Sequence, residues 1–290
     1  MLTLFIQDLQ APGSLLRLTV LAILLCSLVC GIIGAYVLAK RCSYVVGAVS
    51  HSLLGGIGLA RFCQLQKGMT WFSPMLGAVL AALLVAGIIS ILTLRKQQRE
   101  DSVLSAIWAL GMALGLSFIY AMPGYPQDLQ SYLFGNILLV SRQDLLWMGA
   151  LNVVIILFVL LFHKRLVCLC FNEEWLRLRG CRTGLFNFLL YALISLTVVM
   201  LSQLVGVVLC LALLVLPVAA VANFCRSLPL IMLCGVLVSL AASMSGLMLS
   251  YQYDLPTGAT IVEIIAAVYL FCVAAKFILG KIRVTQQKKA

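Results

Sequence analysis

The sequence predicts an all-α polytopic membrane protein, and three observations predict it. Hydrophobic residues occupy 63% of 290 positions and mean hydropathy is +1.14, whereas apolar usage in soluble domains is about half. Several apolar windows exceed about eighteen residues, enough for a helix to cross a hydrocarbon core of roughly 30 Å. They lack the apolar–polar alternation of barrel strands, which excludes a membrane β-barrel. Third, the basic residues fall between these windows. A net charge of +11 distributed that way is a topology signal, not the basic stripe with interleaved aromatics that marks a nucleic-acid surface.

The pattern predicts about 8–9 transmembrane helices within one transmembrane domain, residues 1–290. The first runs from Leu15 to Ala39 and closes on Lys40 and Arg41; Ser27, Gly31, Ala35 and Ala39 form a small-residue packing row on it. A span from Ser43 to Arg61 follows, then one from Trp71 to Leu94. The fourth, Ser102 to Met122, carries a row of Ser105, Ala109, Ala113 and Ser117 and breaks at the turn Pro123 to Pro126. Ser131 to Asp144 is too short to cross and reads as a re-entrant or interfacial segment. A fifth span covers Leu145 to Phe162, and a polar loop from Asn172 to Thr183 leads to the sixth, Gly184 to Leu201. The seventh, Leu204 to Asn223, contains Pro217, which removes a backbone donor and kinks a helix. The eighth, Leu228 to Tyr251, places Gly235, Ser239 and Ser243 on one face, and the ninth reaches Gly280 before a basic tail at 281–290. The N-terminus has no basic n-region and the first span is longer than a signal h-region, so no cleavage is expected.

Placing the Lys40/Arg41 turn in the cytoplasm and alternating puts sixteen of the twenty Lys and Arg inside. This is the bias of the positive-inside rule, and it puts the C-terminus in the cytoplasm. The eleven cysteines lie mostly within spans, where Cys behaves as a small hydrophobe, and no CxxC pair suggests a zinc finger.

Two stretches carry candidate chemistry. In Ser43 to Ala60, Ser43, Gly47, His51 and Gly55 recur every fourth residue and share a helix face. Small neighbours let other helices approach, so His51 points into a packed interior. It reads either as a histidine hydrogen-bonded to a neighbouring helix or as an imidazole that meets a passing cation. The second stretch is Phe171 to Gly180. Glu173 and Glu174 open it and Arg177 and Arg179 lie near its end, the charge order that suits a helix dipole. Trp175, Leu176 and Leu178 make it a short amphipathic helix, an interfacial anchor or a plug for a partner's groove.

Four blocks also resemble one known family. The run Gly206 to Asn223, GVVLCLALLVLPVAAVAN, precedes a small-residue helix and then YDLPTGATI, Tyr253 to Ile261. Ser50 to Ala60, SHSLLGGIGLA, and Leu133 to Leu145, LFGNILLVSRQDL, complete the set. In this order they resemble the manganese/zinc/iron ABC-importer permeases. Glu174 to Gly180 then resembles the coupling-helix motif of such permeases, and segment 171–182 is the expected coupling segment.

The resemblance implies the membrane-spanning subunit of an ATP-driven importer of a divalent transition metal, multi-pass in the bacterial inner membrane. Implied partners are a cytoplasmic ATPase, an extracytoplasmic metal-binding protein and a second permease, identical or paralogous. No cofactor is expected to reside in the chain; the metal is cargo. The chain has no GxxxxGK[ST] segment, so it is expected to be non-catalytic. Many relatives carry an acid four residues before the histidine, where Gly47 stands here. Glu263, in the ninth span, is the expected substitute on the metal path beside His51; its other reading is a protonated carboxyl bonded to a neighbouring helix. Asp254, with Pro256 and Gly258, is implied by the resemblance to form a structural turn near the docking surface; its other reading is a cap on the ninth helix. A secondary transporter would need several intramembrane carboxylates, and only Glu263 lies well inside a span. An intramembrane enzyme using Ser50 and His51 is disfavoured, because adjacent helical residues point about 100° apart.

Overall fold

The computed structural model describes residues 15–94, 100–122, 140–206 and 210–287. They form ten helices: α1 (Leu15–Lys40), α2 (Ser43–Lys67), α3 (Pro74–Leu94), α4 (Glu100–Tyr120), α5 (Arg142–Phe171), α6 (Glu173–Leu178), α7 (Thr183–Val205), α8 (Cys210–Ala222), α9 (Leu228–Tyr253) and α10 (Thr257–Gln287). Eight are long and apolar enough to cross a membrane. The turn expected at Pro123 to Pro126 and the re-entrant segment up to residue 139 lie outside the described residues, as do residues 95–99 and 288–290.

α2 runs six residues past Arg61 to Lys67, and three other boundaries differ from expectation. The basic trio at His163 to Arg165 does not end the fifth span. α5 runs 30 residues to Phe171, a length of about 45 Å, because a helix leaving the membrane can continue into water with charged side chains outward. Arg165 lies 5.6 Å from the Phe162 ring centroid and 5.5 Å from that of Phe186, which keeps the turn helical by covering aromatic faces. Second, the expected seventh span is interrupted. Gly206 adopts φ 80, a region open to glycine and strained for other residues, and ends α7. α8 then spans only 13 residues, about 20 Å, too short to cross alone. It holds Pro217 within the helix and buries it with Leu213, Leu214 and Val218. Third, α10 passes Gly280 and takes residues 281–287 of the expected basic tail into the same helix.

α1, α2 and α7 are the most buried spans, while α4 and α10 lie at the periphery. α1 packs on α9, α5 and α8; α2 packs on α4 and α3; α3 packs on α7, and α10 on α9 and α8. Glycine-lined seams decide these neighbours. The α2–α3 seam brings Gly56 and Gly77 together so closely that a Cβ on either would strike the carbonyl oxygen of the other. The rows on α1 and α9 pack as expected except at Ala39, which is half-buried: Ser27, Gly31, Ala35, Gly235, Ser239 and Ser243 are all buried. The row on α4 does not. Ser105, Ala109, Ala113 and Ser117 are exposed, and the face turned to α2 holds Trp108, Gly111 and Gly115 instead. Glycine permits a closer backbone approach than Ala or Ser, so the glycine pair sets the helix rotation.

Candidate functional site

His51 stands where the α2 face meets α4. Its ring stacks on Trp108, with centroids 4.4 Å apart and planes 16° from parallel. Nδ1 is buried without a hydrogen-bond partner. This removes the reading of a histidine hydrogen-bonded through that atom to a neighbouring helix, and an unpaired buried nitrogen is a costly feature that asks for a ligand or a proton. The flanking glycines form the wall of the same contact. A Cβ on Gly47 would lie 2.7 Å from the Trp108 ring, and one on Gly55 would lie 3.0 Å from the Gly111 carbonyl oxygen. Trp108, on another helix, thus fills the space one turn before His51, and no helical periodicity in α2 announces it. Ser50 donates its hydroxyl to the Val46 carbonyl at 2.8 Å, so it makes no catalytic pair with His51.

The structure does not join Glu263 to His51. α10 turns Ile261 and Ile265 inward, both 1% exposed, and Glu263, midway between them, is exposed. Residues two apart on a helix lie on opposite sides, so the carboxylate expected to replace an acid at position 47 faces outward. Among the described residues no group of three or more His, Cys, Asp and Glu gathers to hold a metal.

The turn after α9 stands where it is expected, but Asp254 plays a different part in it. Asp254 ends α9 in the left-handed region at φ 51, its N–H bonded to the Ser250 carbonyl; it does not cap α10. The Ser250 hydroxyl makes the link forward, 2.8 Å from the Thr257 hydroxyl and 2.6 Å from the Leu255 carbonyl. Pro256 is exposed and Gly258 is buried.

The segment around Glu173 to Gly180 is helical, as its pattern predicts. Asn172 ends α5 and caps α6, accepting the Trp175 N–H at 3.0 Å. Gly180 lies at φ 72 and a Cβ there would meet nothing within 4 Å, so its glycine serves the chain reversal and not a contact. The helix divides its side chains. Leu176 is 2% exposed and enters the core; Trp175 is 43% and Leu178 86% exposed. Arg179 covers part of the indole from 3.8 Å.

Glu173 faces the bundle. Its Oε2 lies 3.5 Å from Lys40 Nζ, and its Oε1 accepts from Asn187 Nδ2 at 2.9 Å. Lys40 in turn donates to Asn187 Oδ1 at 2.8 Å. Lys40 and Asn187 were not legible as partners, being 147 residues apart in the chain. Burial pushes the neighbouring Cys42 thiol up to about 12, with Cys170 raising it further against the pull of Lys40, so Cys42 stays neutral and leaves the ammonium to Glu173. Nearby, the Tyr36 hydroxyl lies 2.6 Å from His163 Nδ1 and ties α1 to α5.

Comparison with known proteins agrees with this architecture. The model of the ABC 3 transport family matches residues 14–276. A probable metal transport system membrane protein of Chlamydia pneumoniae is 39% identical, the match covering 90% of this chain and 88% of that one. The manganese transport system membrane protein MntC of Halalkalibacterium halodurans is 30% identical over 92% of this chain and 89% of its own length. Among solved structures, a chain of PsaBC from Streptococcus pneumoniae, in complex with Fab, superposes with a TM-score of 0.82 at 26% identity, covering 94% of this chain and 95% of that one. A ten-helix bundle with eight membrane-length spans, a short helix held between α5 and α7, and a family match over nearly the whole length lead to one conclusion: the chain belongs to the ABC 3 transport family, as a membrane-spanning permease subunit whose ATPase is a separate subunit.

Proposed function

We propose that the chain moves a divalent transition metal (manganese, iron or zinc) into the bacterial cytoplasm, paired with a second permease. An extracytoplasmic binding protein delivers the metal, and a cytoplasmic ATPase docks on α6. The relatives named for metal or manganese transport support the cargo class. The observation that carries the mechanism is the division of α6: Glu173 and Leu176 hold it to the bundle while Trp175 and Leu178 project outward. A helix fixed on one side and apolar on the other suits a groove on a partner.

In this reading ATP binding moves α6, the bundle opens outward, and the metal passes His51. Neutral imidazole is a ligand for all three metals. The described residues of one chain offer one imidazole there, and the remaining ligands are assigned to the second permease and water. Glu263, exposed on α10, is a candidate contact with that second subunit and not a co-ligand within this chain. Sidedness follows the basic residues: α6 lies in the cytoplasm, and so does the C-terminus, which requires α8, enclosed by its neighbours, to complete a ninth crossing between α7 and α9. The test is uptake into proteoliposomes holding the permease and its ATPase, with manganese, iron(II) and zinc in competition. Uptake that requires ATP hydrolysis is expected; uptake that persists with an inactive ATPase identifies a secondary transporter and refutes the proposal.

A further inference from the structure

We infer that Lys40, Glu173 and Asn187 form a latch that carries the movement of α6 into the membrane-spanning helices, making all three positioning residues for transport. The inference rests on the reading of α6 as the ATPase-docking segment. Three contacts close a triangle of 2.8, 2.9 and 3.5 Å, and each side joins a different pair of helices. Asn187 is fully buried, so water does not replace a lost partner, and the Lys40 side chain is only 11% exposed.

The position of the triangle matters as much as its bonds. Lys40 is the last residue of α1, and only Arg41 and Cys42 separate it from α2, the helix that carries His51. Asn187 lies in the opening turns of α7, which packs on α2 and α3. A displacement of Glu173 therefore acts directly on the α1–α2 corner and on α7. Leu176 also holds α6, through an apolar contact that is non-directional and lets surfaces slide. Hydrogen bonds to a charged pair fix direction and distance. Beside the triangle a cavity of about 240 Å³, lined by Lys40, Arg41, Tyr44, Thr93, Glu173 and Tyr191, leaves that side without packing, so the polar contacts set the geometry there. Removing one member strands buried polar groups, which is why the three move together and do not separate.

The experiment measures metal taken up per ATP hydrolysed, in proteoliposomes of the assembled permease–ATPase complex with its binding protein. Manganese, iron(II) and zinc are supplied in parallel. Lys40→Met and Glu173→Gln are each expected to leave the complex assembled and hydrolysing ATP while metal per ATP falls about tenfold. The double variant is expected to be no worse than either single, the mark of side chains acting as one unit. Lys40→Arg, which keeps the charge, is expected to stay within about twofold of the parent. An unchanged ratio in the assembled single variants overturns the latch, and so does a double-variant loss equal to the product of the singles. Should Lys40→Met fail to accumulate, the ratio measured for Glu173→Gln, at a half-exposed position, decides alone. Trp175→Ser with Leu178→Ser tests the underlying reading by co-purification. If that variant loses the ATPase while the latch variants keep a normal ratio, only the latch falls. If it retains the ATPase, the docking role of α6 falls, and the route assigned to the latch falls with it.

Discussion

At the scale of single residues, His51 is the position where packing and chemistry meet. Trp108 holds the imidazole plane from one side while Nδ1 has no partner. His51→Ala is expected to abolish metal uptake with ATP hydrolysis retained. His51→Gln is expected to fail as well, because an amide keeps hydrogen bonding but is a much poorer metal ligand; normal uptake by that variant would remove His51 from the path. Gly47→Asp is not expected to improve the site. Its Cβ would press on the Trp108 ring, and overpacking of that kind costs about 1–3 kcal/mol. A lower melting temperature for Gly47→Asp, recovered by adding Trp108→Ala, would verify this; a stable single variant would show that the indole yields. At the end of α9, Asp254→Asn should be nearly silent in thermal unfolding, since Asn also tolerates the left-handed region. Asp254→Val should lose about 1–2 kcal/mol.

At the scale of elements, α6 is six residues long and is not stable by itself. It exists because Asn172 caps it and Leu176 is buried, while Glu173 fixes its direction against α1 and α7. The outward pair Trp175 and Leu178 adds nothing comparable to its folding. Replacing both with Ser should therefore leave the amount of membrane-inserted permease unchanged and remove the ATPase on purification. Normal co-purification and transport would mean that the exposed face serves as a loop or a lipid anchor. The same reasoning explains α8. Too short to cross, it persists because its apolar surface, with Pro217, is enclosed by α9, α10 and α1.

At the scale of the whole molecule, helix positions are set by close backbone approach more than by side-chain volume. Lipid is as apolar as Leu, so burying leucine drives little association, and small residues gain contact by letting backbones meet. Gly77→Leu would force α3 away from α2, the helix that carries His51. Loss of stability of about 3 kcal/mol or more is expected, read as a melting shift of the purified complex. Leu80→Ala, at a 56% exposed position on the same helix, is the control and should be nearly silent.

The sequence alone determined that the chain is a helical membrane protein. It also located every span, though not the ends of the second, fifth, seventh and ninth, and located the motifs around His51 and Glu173, because hydropathy, helical period and turn residues are local properties. Its small-residue rows on α1 and α9 are packing faces, as their spacing predicts. What it left open depends on which helices touch. The rotation of α4 follows Gly111 and Gly115 and not the Ser105 row, and Gly206 ends α7 inside the expected seventh span. Glu263 turns outward because Ile261 and Ile265 take the buried side of α10. Trp108 against His51, and Lys40 against Glu173 and Asn187, are pairings between distant parts of the chain. Such contacts have no local signature; only the folded bundle, by choosing which surfaces it buries together, decides them.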